Sequence, residues 1–393
     1  MFGSIYVGLS GLNAYSRGLH QVSNNVTNIN SPGFKGSAVS FTDLVSYSGS
    51  PGVAGSGDGY GGGNGVALGE TRLDLKQGEL RQTERDLDLA VEGNGFLMLL
   101  KGEEVLYTRT GSFEVNPDGF IVLSGTDYRL ATLDGSGRPV SLSLASSNTS
   151  RPQQTTSIRF SDNLSSGATS FGVGDLKVYD RGGAQHVWQV QFAKSGAATN
   201  EWTVTVTDDK ARTIGSSTLK FTETGAVDPS TQTLLFGDAA AGLEVALDFS
   251  NNVTSFSSGS VSTLGGRPAD GYGPGATTSV GVNNGGRIEI GYSNGQKSEL
   301  GAIALADFRE PQALTQRGGG LFAETGQGRR EVMTSEDQRV GRVMSRRLEA
   351  SNVDLAKQFG ELILIQRGFQ ASSQIISVSN DMIQQLFGIR GQG

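Results

Sequence analysis

The stretch VDLAKQFGELILIQRGFQASSQIISVSNDMIQQLFGIR, residues 353–390, decides the fold class because it has the periodicity of one long helix. Its apolar residues recur at spacings that fall on a single helical face. That predicted face consists of Leu355, Phe359, Leu362, Phe369, Ile376, Ile383 and Phe387, with Gln366, Ser373 and Asn380 as polar members of the same register. Ser351-Asn352 ahead of Val353 is the predicted N-cap. A helix from there to about Arg390 spans roughly 57 Å.

The first thirty residues show the same kind of pattern. Their predicted apolar stripe consists of Phe2, Ile5, Leu9, Leu12, Tyr15, Leu19, Val22, Val26 and Ile29. Ser31-Pro32-Gly33 is predicted to end this helix, since proline cannot continue it. Both stripes have a heptad-like spacing that suits pairing of long helices. Amphipathic helices often pack only on a globular core. Two unusually long helices at opposite chain ends instead favour the interpretation that these helices contact other subunits in self-assembly.

Between the two helical ends the apolar period changes to two. HVWQVQFAK (186–194) places Trp188, Val190 and Phe192 on one face. EWTVTVTD (201–208) and GLEVALDF (242–249) alternate in the same way. Short alternating segments separated by Gly, Ser and Asp turns are typical of an antiparallel barrel or sandwich. The predicted fold class is therefore α+β, with terminal helices in a coiled-coil-like inner domain and mainly-β inner and inserted outer domains.

Ser, Thr and Gly are concentrated near 141–157 and 255–278, which indicates boundary loops around an inserted domain. We predict three domains: 1–70 with 340–393, which holds the helices; 71–149 with 277–339, an inner β domain; and 150–276, the inserted outer β domain. Residues 48–69 are rich in glycine and are predicted to form a flexible connector. Within them Gly57, Gly59 and Gly62 fit a dinucleotide fingerprint, but the strand and helix that it requires are not predicted beside it.

Composition excludes several classes of function. The 393 residues carry a net charge of −7 and no cysteine. The charge gives little support for binding to nucleic acid or an anionic membrane, and the missing thiols exclude disulfides and thiolate metal sites. The start, MFGSIYVGLSGLNAYSRGLHQVSNN, lacks the charged and apolar regions of a secretory signal, so any export is expected to proceed without a cleaved signal peptide. No cofactor, metal or catalytic residue is predicted.

One short motif raises the question of catalysis. Gly291-Tyr292-Ser293-Asn294-Gly295 fits the G-x-S-x-G pattern of a hydrolase nucleophile elbow. An elbow needs a helix after the serine, whereas the following residues resume a strand pattern. Asn-Gly between two strands instead predicts a type I′ hairpin turn, with positive φ at both residues. His20 and His186 are the only histidines, and neither has the context of a catalytic triad. A serine hydrolase is therefore the least favoured hypothesis.

Several stretches together resemble the rod and hook proteins of the bacterial flagellum. LSGLNAYSRGLHQVSNNVTNINSPGFKGS (9–37) resembles the N-terminal signature of that family, and LEASNVDLAKQFGELILIQRGFQASSQII (348–376) resembles its C-terminal signature. Between them, LKQGELRQTERDLDLAVEGNGFLML and YSNGQKSELGAIALADFREPQAL are similar to inner segments of the family. The residues carried over from the motifs are Asn24, Asn25, Asn28, Gly33, Phe34, Lys35, Ser351, Asn352, Val353, Asp354, Gln366 and Arg367.

The resemblance implies a structural subunit that is exported unfolded by the flagellar type III apparatus. It implies assembly of identical subunits into a tube whose inner layer is formed by the terminal helices. The inserted domain favours a hook-type subunit, part of a flexible joint that transmits torque from rod to filament outside the cell. Its implied partners are further copies, the export apparatus, and the distal rod, hook cap and hook–filament junction proteins. A rod-type axial subunit is the alternative, because the segment around Gly33 is nearer the rod form.

Overall fold

The computed structural model describes residues 2–44, 65–195, 200–326, 330–335 and 337–390. Residues 48–64 of the predicted glycine-rich connector lie outside these residues. The prediction was wrong for its last part, because Val66–Leu68 form a strand paired with Phe41–Asp43. The chain divides into two compact units, the first comprising Met1–Ala145, Val280–Glu289 and Glu299–Gly393, and the second comprising Ser146–Ser279 and Ile290–Ser298. The further division of the first unit into a helical and an inner β domain stays a prediction.

Two α-helices belong to the first unit, α1 (Phe2–Thr27) and α2 (Leu355–Arg390). Helix α1 ends earlier than predicted, so Ile29 lies in a turn beyond it and is not part of the helical stripe. The α-helical pattern stops there because the Ile29 N–H donates to the Val26 carbonyl oxygen, three residues back, at 3.3 Å. The Asn28 side chain also donates to the Asn24 carbonyl oxygen at 2.9 Å. The predicted N-cap of α2 was also wrong. Asp354 caps the helix, because its Oδ1 accepts the N–H groups of Ala356 at 2.8 Å and Lys357 at 3.2 Å.

The strands are short and numerous. Those before the insertion are β1 (Ser37–Ala38), β2 (Phe41–Asp43), β3 (Val66–Leu68), β4 (Arg72–Leu73), β5 (Leu80–Gln82), β6 (Asp88–Glu92), β7 (Phe96–Lys101), β8 (Glu104–Thr108), β9 (Thr110–Val115), β10 (Ile121–Leu123), β11 (Arg129–Leu133) and β12 (Pro139–Ser141). Those of the insertion are β13 (Thr149–Ser150), β14 (Ser157–Asn163), β15 (Ser170–Tyr179), β16 (Gln185–Lys194), β17 (Glu201–Thr207), β18 (Thr213–Lys220), β19 (Thr233–Asp238), β20 (Leu243–Asp248), β21 (Val253–Thr254) and β22 (Gly265–Pro268). The remainder are β23 (Gly275–Val282), β24 (Arg287–Tyr292), β25 (Lys297–Ala302), β26 (Leu305–Phe308), β27 (Leu314–Gln316), β28 (Leu321–Glu324), β29 (Arg330–Met333), β30 (Arg342–Ser345) and β31 (Arg347–Glu349).

The first unit is organised around one large antiparallel sheet. Its main path runs β27-β28-β8-β7-β11-β10-β9-β6-β30, with β12, β26 and β29 joined at the side. Phe96 and Tyr107 both meet Phe308 edge to face in its core, with ring centroids 5.7 and 4.8 Å apart. Strands β5 and β31 form a separate pair that brings residues 80–82 beside residues 347–349. This pair joins a segment that follows α1 to the segment that precedes α2.

The second unit has a single apolar core between two sheets, one of order β15-β16-β17-β18 and the other of order β19-β20-β14-β21 with β22 on β14. The predicted inward faces are confirmed, since Trp188, Phe192, Trp202 and Val245 are all completely buried. The pairing is mainly antiparallel, as expected. Strand β14 departs from that expectation because it pairs in parallel with β20. Together with the terminal helices, this mainly-β body confirms the α+β class.

Candidate functional site: the paired terminal helices and their base

Helices α1 and α2 pack against each other in antiparallel fashion through small residues of α1. Gly8 faces Ile376, Gly11 faces Ser372 and Gly18 faces Ile365. A Cβ atom at Gly8 would lie 2.7 Å from Ile376 Cγ1, closer than real side chains approach. The buried line that these residues define consists of Gly8, Gly11, Ala14, Gly18, Val22 and Asn25. The glycines that weaken an isolated helix therefore allow close approach of the partner helix here.

On α2 the buried line repeats every seven residues and is mostly polar. It consists of Gln358, Ile365, Ser372 and Ser379, flanked by the half-buried Leu362, Ile376 and Ile383. The prediction that Gln366, Ser373 and Asn380 belong to the paired face was wrong, because all three are exposed. The heptad spacing was right and its register was shifted by one residue. The shift arises because α2 has apolar residues on more than one face, so its sequence alone does not single out the face that meets α1.

The predicted apolar stripes are consequently only partly covered within one chain. On α1, Val22 is buried, Ile5, Leu12, Tyr15 and Val26 are half-buried, and Leu9 and Leu19 are exposed by 53% and 38%. On α2, Leu362, Ile376 and Ile383 lie toward α1, whereas Leu355, Phe359, Phe369 and Phe387 are exposed. Phe2 lies in α1, and its side chain is outside the described set. The role of these residues in self-assembly stays a prediction.

A second apolar face on α2 escaped the sequence reading. It consists of Leu364, Ile375, Val378, Met382 and Leu386, all between 44% and 72% exposed. Their spacing of three, four or eleven residues keeps them on one side of the helix. This side differs from the one that meets α1. Large exposed apolar surfaces of this kind mark sites of protein–protein contact.

Near the end of α1, the buried side-chain amide of Asn25 connects this helix to the Ser37 segment and to the start of α2. Its Nδ2 donates to Gln358 Oε1 and to the Ser37 carbonyl oxygen, both at 2.8 Å, and its Oδ1 accepts the Ser37 N–H at 3.1 Å. Asn25 is 1% exposed, so its three bonds are made away from water. The amide therefore fixes the end of α1 against the start of α2. The neighbouring Asn24 is exposed.

The base of the helix pair contains a buried group of charges centred on Glu349. Lys35 Nζ lies 2.6 Å from Glu349 Oε1, and Arg109 Nε lies 3.4 Å from Glu349 Oε2. The three side chains are between 0% and 2% exposed. Burial lowers the pKa of the Lys35 ammonium and that of the Arg109 guanidinium from their ordinary values, and Glu349 opposes both shifts. We call Lys35, Arg109 and Glu349 the charge node.

Several other motif residues lie close to this node in the chain or bond to the same segments. Gly33, at φ +70°, donates its N–H to the Glu349 carbonyl oxygen at 2.8 Å, and Phe34 is buried beside it. Asn352 Oδ1 accepts the Gly36 N–H at 2.8 Å, and Asn352 Nδ2 donates to the Asp74 carbonyl oxygen at 2.6 Å. Half-buried residues Ser351 and Val353 complete the segment.

Gln366 and Arg367 lie away from the node on the exposed surface of α2. Sequence reasoning missed Glu349, Arg109 and Gln358 as site residues. Glu349 lies within a quoted family stretch, but no local signal distinguishes it from a surface acid, since its partner Lys35 is 314 residues away.

Ser293 lies in the second unit, in the loop that joins β24 and β25. Its Oγ accepts the Ala276 N–H at 3.0 Å, and its own N–H donates to the Ala276 carbonyl oxygen at 2.8 Å. The hairpin was predicted correctly and its turn type was wrong. Gly295 has φ +77° while Asn294 does not have positive φ, so this is a three-residue loop ending in a left-handed glycine rather than a type I′ turn.

The histidines do not supply a base for Ser293 in the described part of the chain. His186 Nε2 pairs with Asp180 Oδ2 at 3.3 Å, and His20 is exposed on α1. None of the described hydrogen bonds joins either ring to Ser293. Among the described residues no cluster of acids and histidines could hold a metal ion. Neither described helix is long and apolar enough to cross a bilayer.

Four family models match the chain in order along its length. They are "Flagella basal body rod protein" over residues 5–35, "Flagellar hook protein FlgE/F/G D1 domain" over 90–163, "Flagellar basal body protein FlaE D2 domain" over 167–272, and "Flagellar basal body rod FlgEFG protein C-terminal" over 344–389. The first of these models covers most of α1 and the segment up to Lys35, and the last covers nearly all of α2. The chain belongs to this family of flagellar rod and hook axial proteins.

Within the family, relatives that match this chain along nearly their full length include hook proteins. The chain is 29% identical over 445 residues to flagellar hook protein FlgE of Borreliella burgdorferi, covering 99% of this chain and 100% of the relative. It is 29% identical over 414 residues to FlgE of Salmonella typhimurium, covering 97% and 98%. A crystal structure of Helicobacter pylori flagellar hook protein FlgE2 matches at 12% identity and TM-score 0.47, covering 69% of this chain and 99% of that one. The chain is a hook-type structural subunit, and the rod-type alternative is not favoured.

Proposed function

We propose that the exposed apolar faces of α1 and α2 are the surfaces through which copies of this chain polymerise into the inner layer of the hook tube. The carrying observation is the second apolar face of α2, which includes Leu364 at 72% exposure and Met382 at 48%. Helix α1 adds Tyr6 at 62% and Leu9 at 53%. Among the described residues these side chains stay exposed, although the pair has already buried one face of each helix.

The physical driving force for assembly is the removal of this apolar surface from water, at about 25 cal/mol per Å². A head-to-tail contact between identical subunits that does not close on itself produces a helical polymer. Small residues between α1 and α2 keep the pair thin, so many pairs can pack side by side around a channel. The resulting tube would transmit torque from rod to filament, and contacts between outer β domains would adjust as it bends.

The same proposal covers location and partners. Family membership supports export through the flagellar apparatus without a cleaved signal, and a final position outside the cell. The distal rod, hook cap and hook–filament junction proteins are the expected neighbours at the two ends of the polymer. We assign the chain no catalytic activity, because its family is structural and the Ser293 hydroxyl is used in a backbone contact.

Leu364→Asp tests the polymerisation surface. A charge at this exposed position should leave the subunit folded and abolish assembly, because it would be buried unpaired between copies. Gln374→Asp is the matched control, since it places the same residue on an exposed position of the same helix outside the second apolar face. Tube formation would be followed by electron microscopy and sedimentation, and folding by circular dichroism. Normal tubes from Leu364→Asp would contradict the proposal.

Thr224→Cys tests the location. The natural chain has no cysteine, and Thr224 is exposed in the second unit. A membrane-impermeant maleimide dye added to live motile cells should label short curved structures at the base of each filament. Label that appears only after the cell envelope is removed would instead place the subunit in an enclosed rod.

A further inference from the structure

Residues 256–263 form a loop of the second unit, between β21 and β22, that presents apolar side chains to water. Phe256 is 56% exposed and Val261 is 66% exposed. The other members of the loop are serine, threonine and glycine, and residues 249–266 contain no charged residue. Exposed apolar side chains that are held in place indicate a surface that is covered by something else.

The loop is held in place by two side chains at the end of β14 and just after it. Asn163 Oδ1 accepts the Phe256 N–H at 2.8 Å, and Asn163 Nδ2 donates to the Phe256 carbonyl oxygen at 3.1 Å. Ser165 is completely buried, and its Oγ donates to the Gly259 carbonyl oxygen at 2.6 Å and accepts the Ser258 N–H at 3.2 Å. The exposure of Phe256 is therefore imposed by a backbone that buried polar groups fix.

The hydroxyl groups of the loop fall into two sets. Three of them complete the fold through hydrogen bonds of 2.6 to 3.2 Å to main-chain atoms, namely those of Ser258, Ser262 and Thr263. The other two belong to Ser257 and Ser260, which are exposed, and none of the described hydrogen bonds uses them. Ser257 directly follows Phe256, and Ser260 directly precedes Val261. Each free hydroxyl is thus adjacent to one exposed apolar side chain.

We propose that Ser257 and Ser260 are acceptor sites for O-linked sugars. In the transfer, the serine Oγ forms a bond to the anomeric carbon of a nucleotide-activated sugar. The bond from that carbon to the phosphate oxygen breaks, and the nucleotide leaves with its phosphates. The hydroxyl proton passes to a base of the separate glycosyltransferase that catalyses the step. No oxidant or reductant is consumed.

The surroundings favour a sugar over a phosphate group. A phosphate adds close to two negative charges and is stabilised by nearby Arg or Lys, which residues 249–266 lack. The adjoining turn carries an acid instead, Glu223, and a Cβ atom at Gly225 of that turn would lie 2.8 Å from the Phe256 ring. A sugar is uncharged, its C–H face packs on an aromatic ring, and its hydroxyl groups keep the surface soluble. It therefore accounts for the free hydroxyls and for their apolar neighbours together.

The first measurement is made on the full chain isolated from the cells that make it in nature. The peptide that contains residues 250–264 would be analysed by mass spectrometry with electron-transfer fragmentation, which preserves O-linked sugars. The expected result is sugar mass on at least one of Ser257 and Ser260, with Ser258, Ser262 and Thr263 unmodified. The same peptide from chain made in a host without such a transferase should carry no added mass.

Ser257→Ala with Ser260→Ala tests the assignment in the natural cells. The double variant should lose all the added mass and keep the same fold, because neither hydroxyl takes part in a described hydrogen bond. Thr218→Ala is the matched control, since Thr218 is exposed on β18 of the same unit and its sequence neighbours, Ser217 and Leu219, are not. The control should keep the full mass, and tryptophan fluorescence should give all three proteins the same urea midpoint.

Two results would overturn the sugar sites. The first is an unmodified peptide from the natural cells, and the second is sugar confined to the hydroxyls that the fold already uses. If the peptide is unmodified and a Phe256→Ser change abolishes association between chains, the exposed side chains belong to a contact between copies instead. That the loop faces water in an assembled tube rests on the proposed function, whereas the modification itself does not. Normal tubes from Leu364→Asp would count against the proposed function and leave the sugar sites standing.

Discussion

The second unit and the terminal helices use large apolar side chains in opposite ways. In the second unit, Phe160, Phe192 and Phe249 lie within one core and are between 0% and 1% exposed, with the rings of Phe160 and Phe249 stacked at 4.6 Å. On α2, Phe359 and Phe369 are exposed by 53% and 44%. The first region completes its burial inside one chain. The second leaves this burial incomplete, and under the proposed function other copies of the chain complete it.

Phe192→Ala should have the largest effect on stability, and this effect should be confined to the second unit. Removing a fully buried phenylalanine costs about 3–5 kcal/mol of the free energy of unfolding. Both tryptophans of the chain, Trp188 and Trp202, lie in the same core, so tryptophan fluorescence reports on the second unit alone. The urea midpoint measured by fluorescence should fall. The urea midpoint measured from the helical circular-dichroism signal of α1 and α2 should stay unchanged. A parallel loss of both signals would show that the two regions do not fold independently.

Gly368→Ala should have an intermediate effect, confined to the helices. A Cβ atom at Gly368 would overlap the Tyr15 ring on α1, and such overpacking costs about 1–3 kcal/mol. Gly360→Ala on the same helix is the control, since no atom lies within 4 Å of a Cβ placed there. That change should stabilise α2 by about 0.5–1 kcal/mol through helix propensity. In thermal unfolding followed by circular dichroism at 222 nm, the midpoint temperature should fall for Gly368→Ala and rise for Gly360→Ala.

Asp208→Asn should have the smallest effect, limited to one hairpin of the second unit. The side-chain hydrogen bond from Arg212, 3.0 Å away, holds the pKa of the Asp208 carboxyl below its ordinary value. The ionised form therefore stabilises the fold at neutral pH, and that contribution is lost as pH falls through the lowered pKa. The variant should lower the fluorescence midpoint at pH 7 and converge with the natural protein in acid. A difference that grew toward low pH would contradict this sign.

The strand faces of the second unit were predictable because a two-residue period has only two possible faces. Trp188 and Val190 could lie only on the inner side once Gln189 and Gln191 were assigned to the outer one. A long helix offers more choices. Helix α2 has apolar residues on at least two faces, so its spacing predicted a helix pair but placed the paired register one residue away from Ser372 and Ser379.

The charge node shows the other limit of sequence reasoning. Lys35, Arg109 and Glu349 are separated by up to 314 positions, and each is a residue type that is almost always exposed. Nothing in their local sequence indicates burial. The family motifs marked Lys35 and Asn352 as residues of interest without giving a reason for either. Their partners appeared only when the two chain ends met.

The amino-acid sequence by itself determined the local periods of this chain: two helical ends, a strand-rich middle, and the short motifs of a flagellar axial subunit. These follow from spacing along the chain, since a helix or strand face is defined by neighbours a few residues away. The tertiary structure decided which helical face is buried, why glycine lines α1, and how Glu349 joins Lys35 to Arg109. Those outcomes depend on close contact between distant segments, and contact of that kind is set by three-dimensional packing and charge rather than by local pattern.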